Sequence, residues 1–479
     1  MGKLTGLKPE TVFKYFEEIC AIPHGSGDME KIADYCVSFA MENNLKYVRD
    51  EANNVIIYKD GTKGMESCEP VILQGHIDMV CQKTADCQID FEKDGLDIYA
   101  DGDFVKANGT TLGADNGIAV SMIMAILASN EIAHPPIEAV LTTDEEIGMI
   151  GAGKLDVSVL KGKRMINIDS EEEAYLTVSC AGGSDFKANL PLERKKSAGK
   201  SVKIEISGLM GGHSGVEIDK GRVNANILAG RLLNAISDKS VFDIVSINGG
   251  TKGNAIPYCC EIELVARDSD AFLVAFDEYA ELLKKELKDR EKGLEITCTV
   301  SDEGKYEVFD EDSKEKILYF LLNTPNGIID MSMEISGLVE TSLNLGILNT
   351  TENEVYMQYA LRSNKATALD FMELKMKKFA KAMGFVTSES GRYEPWEYNR
   401  NSRLQELYKE VYLEKTGKEP IVTAIHAGLE CAVFSASIPE LDCISIGPDM
   451  YDVHTTKEKL SITSTGKIYG ILCEMLGKM

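Results

Sequence analysis

Clusters of basic residues are what this chain most clearly lacks. Its 51 Lys and Arg are outnumbered by 77 Asp and Glu, the net charge is -26 at pH 7, and no stretch gathers the cations into a patch. Nucleic acids and anionic membranes are recognised through such patches, so neither is expected as a partner. Long apolar runs are missing too: "GIAVSMIMAILA" is the longest and is too short to span a bilayer. The opening residues, "MGKLTGLKPETVFKYF", hold no secretory apolar segment, and Gly6 stands where a myristoylation site wants Ser or Thr. The 12 cysteines are scattered without a C-x-x-C pair, which reads as reduced, mostly buried thiols in a soluble, cytoplasmic protein. Several catalytic signatures are absent as well. There is no H-E-x-x-H and no G-x-S-x-G, and "GKS" at 199–201 has Arg194 where a P-loop needs its first glycine.

What is present is length and alternation. At about 150 residues per domain, 479 residues suggest two or three. Up to residue 184, helix-spaced segments ("PETVFKYFEEICAI", "MEKIADYCVSFAMENN") alternate with apolar strands ("VILQGHIDMV", "IEAVLTTDEE", "RMINIDS"). That pattern predicts an α/β domain with a mostly parallel central sheet and helices on both faces. Beyond "SCAGGSDFKANL" the strands turn alternating and the helices charged. Here "CEIELVARDSDAFLVAFDEYAELLKKELK" is echoed by "EVYMQYALRSNKATALDFMELKMKKFAKAMG", each a strand, an Arg (Arg267, Arg362), a turn and an amphipathic helix. The α/β character returns at 393. The chain thus reads as one α/β domain made of 1–184 and 393–479, with an inserted α+β domain, 185–392, of two similar halves.

The stretch "IEAVLTTDEEIGMIGAG" places three acids, Asp144, Glu145 and Glu146, at the end of a buried strand, where like charges repel and lose hydration. Other polar groups sit at comparable points. His76 ends "VILQGH", Asp169 ends "MINID", His454 follows the strand "LDCISIG", and Asp115 lies in the glycine-rich "GTTLGADNGIA" at a helix entrance. Taken singly, each has an ordinary explanation: Asp115 as a helix N-cap, the glutamates as solvated loop acids, the histidines as plain polar residues. Together they lie where an open α/β sheet binds ligands, outside the carboxyl ends of its strands. Imidazoles and carboxylates without thiolate suit Zn(II), Mn(II) or Co(II). The acids outnumber one ion's needs, and two ions about 3.5–4 Å apart sharing a carboxylate would use them all.

In this order, "GHIDMV", "GTTLGADNGIA", "TTDEEIGMIGA", "NIDSEE" and "DVHTTKE" resemble the dinuclear metallopeptidases that include carboxypeptidase G and aminoacylase, above all the bacterial members that cleave aminoacyl-histidine dipeptides. The resemblance extends through "GLMGGHSGVEI" and "GGTKGNAIP" to essentially the whole chain. It implies that Asp115 bridges two divalent ions, zinc first, with manganese or cobalt as alternatives. His76 and Asp169 would complete one ion, and Glu146 and His454 the other. Asp78 would orient His76, and the Asp115–Asn116 peptide bond would be cis. Glu145 would be the general base and then the proton donor to the leaving amine.

In the inserted domain, the resemblance makes His213 ("GGHSG") a donor to the tetrahedral oxyanion. Asn254 ("GNAIP") and Arg362 ("LRSN") match substrate-contacting positions, with Arg362 suited to a peptide's carboxylate. Gly428 ("HAGLE") is expected to open a helix whose free N–H groups favour an anion. His426 and Glu430 carry no assigned role, and His24 and His134 read as structural. The implied activity is hydrolysis of unblocked dipeptides, Xaa-His such as β-alanyl-histidine, by a domain pair that closes on the substrate. An N-acyl amino acid deacylase on the same centre is the enzymatic alternative, and a non-catalytic metal- or peptide-binding protein the other. Related enzymes also use the inserted domain to dimerise, so a homodimer is an open expectation.

Overall fold

The computed structural model describes residues 2–479. By contacts, the chain divides into two compact units: Met1–Cys180 with Trp396–Ala424 and Leu429–Met479, and Ala181–Pro395 with Ile425–Gly428.

The first unit is built on an eight-stranded sheet. In spatial order the strands are Lys46–Arg49, Val55–Lys59, Ile137–Thr142, Val71–His76, Arg164–Asn167, Asp442–Ser445, Tyr175–Cys180 and Ile421–Ile425. The four central strands, from Ile137–Thr142 to Asp442–Ser445, run parallel. The pairs outside them at Lys46–Lys59, at Val55–Thr142 and between Ser445 and Thr177 are antiparallel. The sheet is therefore mixed, with parallel pairing among its four central strands. Every residue of Val71–His76 and Ile137–Thr142 is buried, so both faces of these strands are covered.

The helices take their positions from their apolar spacing. Glu10–Cys20 buries Val12, Phe13, Phe16, Ile19 and Cys20 along one stripe. Ala114–Ala128 is apolar all round and buried almost throughout, because it lies between that helix and the Val71–His76 strand. Each fully buried large aliphatic or aromatic side chain contributes about 1.5–3 kcal/mol. All 12 cysteines are free thiols, and no helix among the described residues is long and apolar enough to cross a membrane.

The second unit carries a nine-stranded sheet in which two four-stranded halves meet, the ninth strand, Gly327–Met331, pairing with Val339–Thr350. Following the chain, Arg194–Ser207, helix Ala225–Ser237, Phe242–Gly249, Cys260–Ala266, helix Ser269–Leu287 and Glu295–Phe309 form one half. Gly182–Pro191, helix Glu311–Asn323, Val339–Thr350, Glu354–Ser363, helix Ala366–Ala382 and Val386–Tyr393 form the other. Both are β-α-β-β-α-β, with the four strands in spatial order 4-1-3-2, joined second strand to second strand at Gly249 and Leu348. The repeated strand–Arg–helix segments are the third strand and second helix of each half, so the sequence echo corresponds to structural duplication. The first half begins inside the second in chain order, since Gly182–Pro191 precedes it.

Candidate functional site

The parallel strands of the first unit end in step. His76 lies opposite Thr142, and Gln74 opposite Asn167. Residues just past those ends emerge along one edge of the sheet: His76, Glu145 and Glu146, and Asp169. The helix bearing Asp115 reaches the same edge because Gly75 leaves room for it. A Cβ on Gly75 would sit 2.6 Å from Asn116 Oδ1. His454 arrives on a hairpin between the short strands Met450–Tyr451 and Lys459–Ser461.

Asp115 is the centre of this convergence. One of its oxygens, Oδ1, is 3.1 Å from His76 Nε2, and the other, Oδ2, is 3.1 Å from His454 Nε2. Glu146 Oε1 lies 2.8 Å from the same His454 nitrogen, and Asp169 Oδ1 lies 3.4 Å from His76 Nε2. His76, Asp115 and Glu146 each offer a donor atom within 4.8 Å of the others. The Asp115–Asn116 bond is cis. Asp115 is not the N-cap of its helix: Gly113, at φ 67°, holds that position, and Asp115 itself has non-helical dihedrals. The acidic run also divides. Asp144, at φ 54°, turns the chain and accepts the Gly27 N–H at 2.7 Å, apart from its two neighbours.

Electrostatically the site holds too little positive charge for its acids. Burial pushes the Asp169 carboxyl up to about 7 despite the pull of His76. Burial also drives Glu145 well above the carboxylate range, with Asp169, Glu430 and Glu146 adding to it against His76. Glu146 is raised by burial against its bond to His454. His76 is pressed down by burial, but Asp169, Asp115 and Asp78 outweigh it and hold the imidazolium well above its ordinary range. His454 is raised to about 11 by the hydrogen bonds that its ring donates to Asp115 and Glu146. Clustered buried acids facing two imidazoles fit divalent cations, which would neutralise them.

Asp78 does more than face His76 Nδ1, which is 3.4 Å from its Oδ1. Its carboxylate accepts the backbone N–H groups of Glu145 and Glu146 at 3.0 and 3.3 Å and the Ser26 hydroxyl at 2.8 Å. One buried acid thus ties the His76 strand to the Glu145–Glu146 turn. Two further residues escaped the sequence reading. Asn116 Oδ1 accepts the His76 N–H at 3.2 Å, and its amide donates to Ile168 O at 2.8 Å, joining three of the converging segments. Glu458 accepts backbone N–H groups from the loop that carries Asp115. Both stood inside quoted motifs, but a buried amide or acid beside a metal-type residue carries no local signature of what it will bind. Glu430 is fully buried, where it accepts from Gln74 and Thr142, and burial raises it to about 7. His24 and His134 are buried, each with Nδ1 on a neighbouring carbonyl, as structural histidines would be.

In the second unit, His213 and Asn254 share a two-stranded ribbon region. His213 pairs with Ala255, and Asn254 O accepts the Ser214 N–H at 2.9 Å. The His213 Nδ1 accepts the N–H groups of Gly215 and Val216 at 3.1 and 3.2 Å. Burial and the nearby Arg362 lower the imidazole's affinity for a second proton, so the ring is neutral with its proton on Nε2. Arg362 donates from Nη1 to the Tyr393 hydroxyl at 2.9 Å. His426 is buried between Ser342 and Asn364, and is held down to about 3 by burial and by Arg362 and His213. Gly428 does not open the helix as expected. The helix starts at Glu430 after an extended Leu429, which leaves Gly428 on the preceding loop.

Comparison with known proteins bears directly on this arrangement. The profile of the M20 peptidase dimerisation domain matches residues 204–294. The cytosol non-specific dipeptidase of Escherichia coli (strain K12) is 39% identical over 480 residues, 99% of each chain. The crystal structure of aminoacylhistidine dipeptidase from Vibrio alginolyticus superposes with a TM-score of 0.92 at 37% identity, over 99% of this chain and 98% of that one. An M20 family metallo-carboxypeptidase from Sulfolobus solfataricus shares the fold at 17% identity, with a TM-score of 0.53 over 98% of each chain. The chain therefore belongs to the M20 family of metallo-dipeptidases.

Proposed function

We propose that the protein hydrolyses unblocked dipeptides at a dinuclear centre, with Xaa-His dipeptides such as β-alanyl-histidine among its preferred substrates. The observation that carries the dinuclear reading is the two-sided Asp115, one oxygen toward His76 and the other toward His454. His76 and Asp169 would hold one ion with Asp115, and Glu146 and His454 the second. Zinc is the first choice for an imidazole and carboxylate donor set, with manganese or cobalt as alternatives. Such ions, when bound, acidify water and polarise the scissile carbonyl.

The chain's own residues supply the remaining chemistry. Glu145 directly precedes a proposed ligand, and its backbone is fixed by Asp78. It takes the proton of the attacking water and returns it to the departing amine. His213, neutral and with its proton on Nε2, donates that hydrogen bond to the developing oxyanion and carries no proton away. Arg362, braced by Tyr393, clamps the substrate's C-terminal carboxylate, with Asn254 and the Gly428 loop as further contacts. Arg362→Ala should raise KM for free dipeptides about 10- to 100-fold, the loss of one charge-assisted contact of roughly 1.5–3 kcal/mol, with kcat changing much less. Steady-state kinetics with β-alanyl-histidine measure this, and an unchanged KM would remove Arg362 from the substrate site.

The wider reading is tested by stripping the protein of metal and restoring Zn(II), Mn(II) or Co(II). Hydrolysis of β-alanyl-histidine is then compared with its N-acetylated analogue and with dipeptides lacking histidine. Metal-dependent cleavage of free dipeptides alone, fastest with histidine, is expected. Cleavage of only the blocked analogue would make the protein a deacylase, and equal rates on all free dipeptides would remove the histidine preference. A cytoplasmic location is supported by the name of the Escherichia coli relative. Self-association is supported by the dimerisation-domain match in the first half of the second unit, and sedimentation equilibrium would measure it.

A further inference from the structure

Four successive backbone N–H groups converge on one buried carboxylate brought from a distant part of the chain. Glu458 Oε2 accepts from Leu112 at 2.7 Å and Gly113 at 3.2 Å, and Oε1 accepts from Ala114 at 2.9 Å and Asp115 at 3.5 Å. These are donors of the kind that any helix start leaves without an intrahelical partner. Gly113, the residue in the capping position, has no side chain to satisfy them, and the structure gives the helix no local side-chain cap. The carboxylate is 4% exposed, so water does not take its place.

Glu458 also closes the loop that carries His454. That loop spans Asp452 to Glu458 between two paired strands, with Tyr451 opposite Lys459 at its base. Inside it, the Glu458 N–H donates to Thr455 O at 3.1 Å and the Thr455 N–H to Asp452 O at 3.2 Å. His454 holds a left-handed backbone, φ 63°, and its side chain is 47% exposed. With little packing around it, its ring is positioned by the loop together with its contacts to Asp115 and Glu146.

We propose that Glu458 is a positioning residue that fixes the spacing between Asp115 and His454. By gripping the four amides that lead into Asp115, it binds that loop to the hairpin presenting the histidine. It thereby keeps the second oxygen of Asp115 facing His454 and Glu146. The His76 side of the centre does not depend on this link, because Asn116 joins Asp115's segment to His76 and Ile168 directly. The inference rests on the dinuclear reading. It adds that the two ion positions differ in what supports them, Asn116 for one and Glu458 for the other.

The test is metal titration of the stripped full-length protein by calorimetry, with the visible spectrum of bound Co(II) as a second readout, on wild type, Glu458→Gln and Glu458→Asp. In the Gln variant an amide N–H₂ faces backbone donors where an oxygen accepted them. The variant is expected to bind the first ion as wild type does and the second about 10- to 100-fold more weakly, the range for losing a partner that orients a ligand. The Co(II) spectrum of the second equivalent should change, and kcat should fall at unchanged KM. Glu458→Asp keeps the charge but is one methylene too short, so it should shift the second ion in the same direction by less. A role confined to fold stability would lower the melting temperature and leave the ratio of the two affinities alone. Variants that bind both ions with wild-type affinities and spectra, or that weaken both equally, overturn the proposal. A wild type that saturates at one ion would instead sink the dinuclear reading, and the inference with it.

Discussion

Replacing Glu145 with alanine should abolish turnover while leaving both ions in place. The expected loss in kcat is about 10³-fold or more, roughly 4 kcal/mol of barrier, because one side chain serves first as base and then as acid. Three features make this the largest effect without loss of metal. Glu145 lies beside Glu146, but it is Glu146 and Asp169, and not Glu145, whose carboxylates approach the His454 and His76 rings. Its amide is held by Asp78 rather than by any contact of its own carboxylate, so the turn should survive the truncation. Burial and the neighbouring acids also raise its proton affinity well above that of an ordinary glutamate, the direction a proton-accepting group requires. The measurements are kcat and metal content on the same preparation. Full activity would remove the role, and loss of metal together with activity would make Glu145 a ligand.

Asp115→Ala is expected to do more damage by a different route. It deletes the one group that faces both histidines, so affinity should fall at both ion positions by more than the roughly 100-fold typical of losing an outer partner, and activity should fall to background. The removal also strands the polar groups arranged around it. His454, raised to about 11 by the hydrogen bonds it donates to Asp115 and Glu146, would keep only Glu146. Glu458 would still satisfy the helix start, because its bonds are to backbone amides. The helix should therefore persist, and far-UV circular dichroism should match that of the wild type. Metal analysis decides the matter. A variant that retains one fully occupied site would show that Asp115 serves a single ion.

Much of the architecture was legible locally. The strand "VILQGH" and the helix "GIAVSMIMAILA" were readable because continuous apolar runs bounded by polar residues have few places to go except a covered sheet or a buried helix. The duplicated segments around Arg267 and Arg362 announced two halves because a repeated amphipathic pattern needs a repeated surface to cover. Where the local reading failed, the cause was also physical. The helix after "HAG" begins at Glu430 and not at Gly428, since an extended Leu429 intervenes and periodicity does not locate helix boundaries to within two residues. Continuous apolar runs marked the central strands as parallel, whereas Val55–Lys59, also largely buried, pairs antiparallel with Ile137–Thr142, because it is burial and not direction that makes a run apolar.

The sequence by itself determined which residue types stand at strand ends and helix entrances, and so what chemistry was available: imidazoles and carboxylates with no thiolate among them. Tertiary structure alone decided how these are combined. Asp115 meets a histidine 39 residues before it on one oxygen and another 339 residues after it on the other. Glu458 caps a helix more than 340 residues away, and Asp144 leaves its two acidic neighbours for the amide of Gly27. The reason is that hydrophobic periodicity is a property of a few turns of chain, whereas the meeting of loops depends on strand order and register across the whole sheet. That order is fixed only when the core packs, and with it the partners of every polar group along the edge.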